Sequence, residues 1–227
     1  TLSKKVYQYA GKSCKPSVAV AGLNKEDYTV TYRNAKKVGS ATCVVTGTGN
    51  YTGKIECPYT IRLAAAELKT VANQKSGLSL NWDSVPGAEG YWIYRRTYKG
   101  KWQRIGDVNS GDTLTYVDTS AKSGTWYAYR IRARKGTSFG AYSDAVVTRR
   151  LTRPAISVKE RSYGVAVKWK SIKGAKKYKI YRQEEKGSMK QIGTTTDPYW
   201  KDKTARSGYR YVYTVKAVSG SAQSSAA

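Results

Sequence analysis

No histidine occurs among the 227 residues. That absence excludes Ser-His-Asp and Cys-His catalysis, His-ligated metals and the usual general base near neutral pH. Cysteine is scarce. The three thiols, Cys14, Cys43 and Cys57, gather near the N-terminus and contain no Cys-x-x-Cys pair, so the usual zinc spacing is missing. No Gly-x-x-x-x-Gly-Lys-Ser/Thr phosphate loop is present. Gly47-Thr-Gly49-Asn50 spells part of a Gly-x-Gly fingerprint, but no helical pattern follows, and it reads as a turn. No apolar run reaches the ~18 residues of a membrane span. The chain opens at Thr1 without a signal peptide, as a mature or excised segment would, with any cell-wall anchor outside it.

Acidic residues are few, 15 against 41 Lys and Arg. Glu184 and Glu185 are neighbours and would point to opposite sides of a strand, whereas a glycosidase pair must face one gap. They read as a solvated loop tip. Asp27, Asp83 and Asp118 sit at turn-like positions, where Asp commonly caps backbone amides. No catalytic residue, cofactor or metal is expected, and the chain is not expected to be an enzyme.

The same imbalance leaves a net charge of +26. It divides as +7 over residues 1–66, +7 over 67–150 and +12 over 151–227. A field of that sign draws anionic partners such as teichoic-acid-like polymers, sialylated or sulfated glycans and acidic proteins. It equally suits a basic surface with no dedicated partner. Because it is spread over the whole chain and no nucleic-acid motif accompanies it, a nucleic-acid partner ranks last.

A long sentence is written twice. Gly77-Leu-Ser-Leu-Asn-Trp82 returns as Gly164-Val-Ala-Val-Lys-Trp169, and Gly87-Ala-Glu-Gly-Tyr91-Trp-Ile93-Tyr94-Arg95 as Gly174-Ala-Lys-Lys-Tyr178-Lys-Ile180-Tyr181-Arg182. The offset is 87 throughout; after a three-residue deletion, Asp118, Gly124, Tyr129 and Ala133 return 84 residues later. Such a repeat fixes the architecture. Within each copy apolar and polar residues alternate, as in Leu78, Leu80 and Trp82 or Tyr127, Tyr129 and Ile131, and no helical period persists. About seven short strands in roughly 85 residues predict an antiparallel sandwich. The chain is therefore expected to be all-β, three consecutive antiparallel sandwiches over 1–66, 67–150 and 151–227, the last two being the repeat.

Gly-x-x-x-x-Trp, Gly-Ala-x-x-Tyr-x-Ile-Tyr-Arg and Tyr-x-Tyr-x-(Ile/Val)-x-Ala resemble the bacterial fibronectin type III family over 67–227. In that likeness Trp82 and Trp169 match the buried strand-B tryptophan, and Tyr127/Tyr129 and Tyr211/Tyr213 the strand-F tyrosines. Residues 1–66 do not repeat the others. Their Asp27-Tyr-Thr-Val30-Thr-Tyr32, Val38-Gly-Ser-Ala strand and Gly47-Thr-Gly49-Asn50-Tyr51-Thr-Gly53 turn resemble small immunoglobulin-like modules that stand in tandem on surface proteins of Gram-positive bacteria. A hairpin tipped at Asn50 sets Cys43 opposite Cys57, close enough for a disulfide. Cys14 with Cys57 is the alternative pairing, and three buried reduced thiols the third possibility.

Alternation also separates inside from outside. Tyr91, Ile93, Tyr127, Tyr129 and Ile131 point inward, so Trp92, Tyr94, Arg96, Trp126, Arg130 and Arg132 face outward, with Trp102 on the adjoining strand. The resemblance implies that these strands share one sheet. Exposed Trp, Tyr and Arg are the types most enriched in binding hot spots, though aromatic ladders also serve stability alone. The third module carries Lys177, Lys179, Tyr181, Arg210 and Lys216 at equivalent positions, a more basic and less aromatic face.

The expected role is a non-catalytic, extracellular, cell-surface or secreted segment of a bacterial surface protein. It would be monomeric and adhesin-like, and bind a host glycoprotein (immunoglobulin or mucin) or a cell-wall glycan. The alternatives are a spacer that holds another domain away from the wall, and charge-driven polyanion binding.

Overall fold

A computed structural model describes residues 1–226. Nearly all regular structure is β-strand. The first 66 residues form β1 (Val6–Tyr9), a 3-10 turn (Lys25–Asp27), β2 (Tyr28–Arg33), β3 (Gly39–Gly47) and β4 (Lys54–Leu63). They make one four-stranded sheet, ordered β1-β4-β3-β2. Three of these strands are antiparallel neighbours, but β1 joins β4 in parallel, where the sequence predicts antiparallel pairing throughout. The second layer here is irregular chain instead of a second sheet. Tyr59 donates to the carbonyl of Cys14 at 2.7 Å and Tyr32 to that of Pro16 at 2.5 Å, pinning this coil over Ala41, Cys43, Tyr59 and Ile61.

The β3–β4 register sets Cys43 directly opposite Cys57. All three cysteines carry free thiols, Cys43 fully buried. Burial and then the neighbouring Cys57 push the Cys43 thiol above its ordinary pKa, so it is inert as a nucleophile.

The second module consists of β5 (Leu68–Asn73), β6 (Leu78–Trp82), β7 (Gly90–Thr97), β8 (Gln103–Val108), β9 (Thr115–Asp118), β10 (Trp126–Lys135), β11 (Ser138–Phe139) and β12 (Val146–Arg149). One sheet is β5-β6-β9; the other is β11-β10-β7-β8 with β12 also paired to β10. The third module repeats this with β13 (Ile156–Arg161), β14 (Gly164–Trp169), β15 (Lys177–Glu184), β16 (Lys190–Thr195), β17 (Tyr199–Asp202), β18 (Tyr211–Ser219) and β19 (Ala222–Gln223). Its sheets are β13-β14-β17 and β16-β15-β18-β19. Both are fibronectin type III-like sandwiches. Trp82 with Tyr91, and Trp169 with Tyr178, meet in the two cores at centroid distances of 5.3 and 5.2 Å.

Each core contains the same buried polar unit. Asp118 is 2% exposed and accepts from Tyr129 at 2.6 Å, Arg95 at 2.6 Å and Ser120 at 2.7 Å. Asp202 accepts from Tyr213, Arg182 and Thr204 at 2.8, 2.8 and 2.7 Å. Burial alone would raise both carboxyl pKa values; the hydrogen bonds outweigh it and hold both below the ordinary carboxylate range. Beside each unit a tyrosine corner closes the strand entry: Lys122 N donates to Tyr127 Oη at 3.0 Å and Arg206 N to Tyr211 Oη at 3.2 Å.

The modules touch at matching turns. Gly87 has φ of 76°, and a Cβ there would lie 2.7 Å from the Tyr9 ring of the first module. Its counterpart Gly174, with φ of 87°, approaches Gly124 so closely that a Cβ would lie 2.7 Å from Gly124 Cα. Only glycine tolerates both demands. Arg150, 4% exposed, completes the second joint by donating to Asn73 Oδ1 and to the carbonyls of Gln74 and Lys75 at 3.2, 2.9 and 3.2 Å. Asn73 Oδ1 also accepts from Leu151 N at 2.8 Å. Leu151 is fully buried in the core of the third module.

Candidate binding face

Strands β7 and β10 lie side by side with Trp92 opposite Arg132 and Tyr94 opposite Arg130. Their alternation turns these four side chains to the outer face while Ile93 and Ile131 enter the core. On the other side of β7 a bulge after Ile93 shifts the register, so that Tyr94 faces Arg104. It also brings Trp102, just before β8, into reach.

The result is a ladder of alternating cations and rings. Arg96 lies over Trp102 at 5.0 Å, and Trp102 meets Arg130 at 4.3 Å. Arg130 sits over Tyr142 at 3.7 Å, and Arg132 lies 4.9 Å from the same ring. Arg132 then contacts Phe139 at 4.1 Å and Trp92 at 5.0 Å, and Trp92 carries Arg104 at 4.3 Å on its other side. Tyr94 packs edge-on against Tyr142, and Trp92 tilts against Phe139. Planar guanidinium stacks on rings as an ammonium cannot, which is why arginine supplies every cation here.

Among the described residues, none of Arg96, Arg104, Arg130 and Arg132 has a carboxylate partner. The Nε atoms of Arg130 and Arg132 are buried without a hydrogen-bond acceptor. The nearby acid is already engaged: Asp107 accepts from Trp92 Nε1 at 3.0 Å and from Arg134 at 3.1 Å. Ring quadrupoles therefore hold four like charges together. The face can attract an anion, and its rings can lie against an apolar or sugar surface.

Of the residues expected on this face, the ladder gathers Trp92, Tyr94, Arg96, Trp102, Arg130 and Arg132. Trp126 stands apart. It sits at the start of β10, beside Arg149 at 5.5 Å and close to Gly220 of the third module. Phe139, Tyr142 and Arg104 join without having been expected. Phe139 lies in a two-residue strand and Tyr142 in irregular chain, neither long enough to show a period. Arg104 shares the parity of Trp102, and that spacing would have found it.

The third module assembles less. Lys216 lies over Tyr181 at 5.3 Å, and Lys179 is opposite Lys216. Lys177 is exposed at the beginning of β15, and Arg210 lies outside this cluster, just before β18. Trp200 turns inward and packs on the core beside Gly193.

No family model matches the chain, and no curated protein does. Among solved structures, the FN1–FN3 domains of chicken CNTN1 match with 16% identity and a TM-score of 0.38, over 83% of this chain and 74% of that one. No helix among the described residues is long and apolar enough to cross a membrane.

Proposed function

We propose that the chain is a non-catalytic extracellular segment of a bacterial surface protein. Its contact face is the Arg–aromatic ladder of the second module, and its partner is an anionic macromolecule: a host glycoprotein such as an immunoglobulin or mucin, or a cell-wall glycan. One observation carries this reading: four guanidinium groups stand interleaved with aromatic rings, and among the described residues none of the four is paired with a carboxylate. An acidic sugar or sulfate supplies the missing counter-charge, and the rings offer the stacking surface that sugar planes use.

The test is direct binding of the 227-residue chain to immobilised immunoglobulin, mucin and purified cell walls, at ~0.15 M and ~0.5 M salt. One ligand is expected to survive the stronger wash. The double variant Arg130→Gln/Arg132→Gln, checked for folding by circular dichroism, is expected to lose it. Binding that survives in the folded double variant overturns the assignment of the face.

A spacer is the second reading, favoured by the second joint, where Arg150 and Asn73 sew two modules together. It predicts an elongated particle by small-angle X-ray scattering and no ligand that resists ~0.5 M salt.

A further inference from the structure

The two copies of the repeat also differ on the outer face of their three-stranded sheets. In the second module the outward residues of β5, β6 and β9 are Thr70, Ala72, Ser79, Asn81, Thr115 and Val117, and none is charged. Their counterparts in the third module are Ser157, Lys159, Ala166, Lys168, Tyr199 and Lys201, with Arg161 next along β13. Lys159 and Lys201 flank Ala166 on neighbouring strands, and Ser157 and Tyr199 flank Lys168. All four cations are exposed, and among the described residues none forms an ion pair. Alternation sends Glu160, between Lys159 and Arg161, to the other side of β13.

Two rings fix part of this array. The hydroxyls of Tyr163 and Tyr199 meet at 2.6 Å. Tyr199 carries Lys168 at 5.4 Å and Lys201 at 5.8 Å, and Lys201 is 5.6 Å from the Tyr163 ring. One phenol proton is used within the pair, so the other is free to donate outward. A groove of about 190 Å³ runs between β13 and β14, lined by Ser157, Lys159, Arg161 and Lys168, with the Ala166 methyl at its floor. The cations stand in tiers along the strands: Lys168, then Lys159 with Lys201, then Arg161. Each tier is two residues from the next, about 6.6 Å.

We infer that this face binds a linear polyol phosphate, a chain with one phosphodiester for each three-carbon unit. The extended repeat of such a chain is close to the spacing of the tiers, so successive phosphates each meet one or two cations. The small side chain of Ala166 leaves the polymer backbone room between Lys159 and Lys201. Ammonium groups act as compact point charges and suit a tetrahedral anion met from several directions. The face is open along its length, so it fits a chain and not a single ion. It lies on a different module from the Arg–aromatic ladder and stands independently of it.

The probe is an end-labelled fluorescent poly(glycerol phosphate) oligomer, titrated into the 227-residue chain and followed by anisotropy at ~0.15 M salt. Saturable binding is expected. Lys159→Gln/Lys201→Gln removes two exposed charges; it should leave the circular dichroism unchanged and weaken binding at least about tenfold. Lys186→Gln/Lys190→Gln takes the same charge from exposed positions elsewhere in the module and should change it less than about twofold, since screening blunts distant charges. Arg130→Gln/Arg132→Gln, which tests the ladder, should do no more than that. Inorganic phosphate at equal phosphorus concentration should not compete. Absence of binding, equal losses in the two lysine pairs, loss in the ladder variant, or competition by inorganic phosphate overturns the proposal. So does tighter binding of a sulfated glycan oligomer or a single-stranded DNA of equal charge.

Discussion

The second and third modules share an interior and differ in what they show to solvent. Arg95, Asp118, Ser120 and Tyr129 have their counterparts in Arg182, Asp202, Thr204 and Tyr213, with donor–acceptor distances that agree within 0.2 Å. Outside, five rings and four arginines of one module stand against a single Lys216–Tyr181 contact on the equivalent strands of the other. A buried carboxylate must be fully satisfied or the sandwich loses stability, and this constraint acts on both copies alike. The outer face answers to no such rule, so its elaboration on one copy alone points to use of that copy's surface.

The comparison can be broken most forcefully in the interior. Asp118→Ala leaves the half-buried Arg95 and the buried Tyr129 hydroxyl without their acceptor and should cost about 3–5 kcal/mol in chemical denaturation. Asp202→Ala should cost the same; a clear difference between the two would separate the interiors that the geometry equates. The depressed carboxyl pKa values add a pH signature. A carboxyl held below its unfolded value contributes stability that is complete above about pH 4 and lost as pH falls through the folded-state value. Asp118→Asn and Asp202→Asn should therefore each flatten the acid limb of stability below about pH 4.

The joint comes next. Arg150→Ala removes a buried donor from three acceptors of the second module and should cost about 1–3 kcal/mol. It should also widen the interdomain distance distribution seen by scattering. The smallest effects belong to the outer faces, and they should be unequal. Arg130→Gln should cost about 1–2 kcal/mol, because its cation is stacked on both sides and partly desolvated, whereas Lys216→Gln should cost under about 1 kcal/mol. Equal small costs would mean that the ladder is no better knit than the single pair.

Much of the build was legible in the sequence because a repeat with period-two alternation states both topology and sidedness. Arg95 shares the parity of Tyr91 and Ile93 and is half-buried against Asp118, a placement the sequence analysis did not single out. The Cys43–Cys57 register followed from a hairpin tipped at Asn50. Three things were not legible. Alternation says which face a residue takes but not how far along it stands, so Trp126 was grouped with a ladder that Ala128 and the joint separate it from. Tyr142 reaches the ladder from chain with no period. The parallel pairing of β1 with β4 joins the first and last strands of the module across β2 and β3, a non-local choice that alternation within a strand does not encode.

The second joint leaves the chain no slack. Arg150 is enclosed by the second module and the next residue, Leu151, by the core of the third. One peptide bond therefore separates two interiors, and consecutive Cα atoms stand only ~3.8 Å apart. A pull along the chain cannot first straighten a linker. It loads the Arg150 hydrogen bonds at once, and the two sandwiches share tension as links do in a taut line.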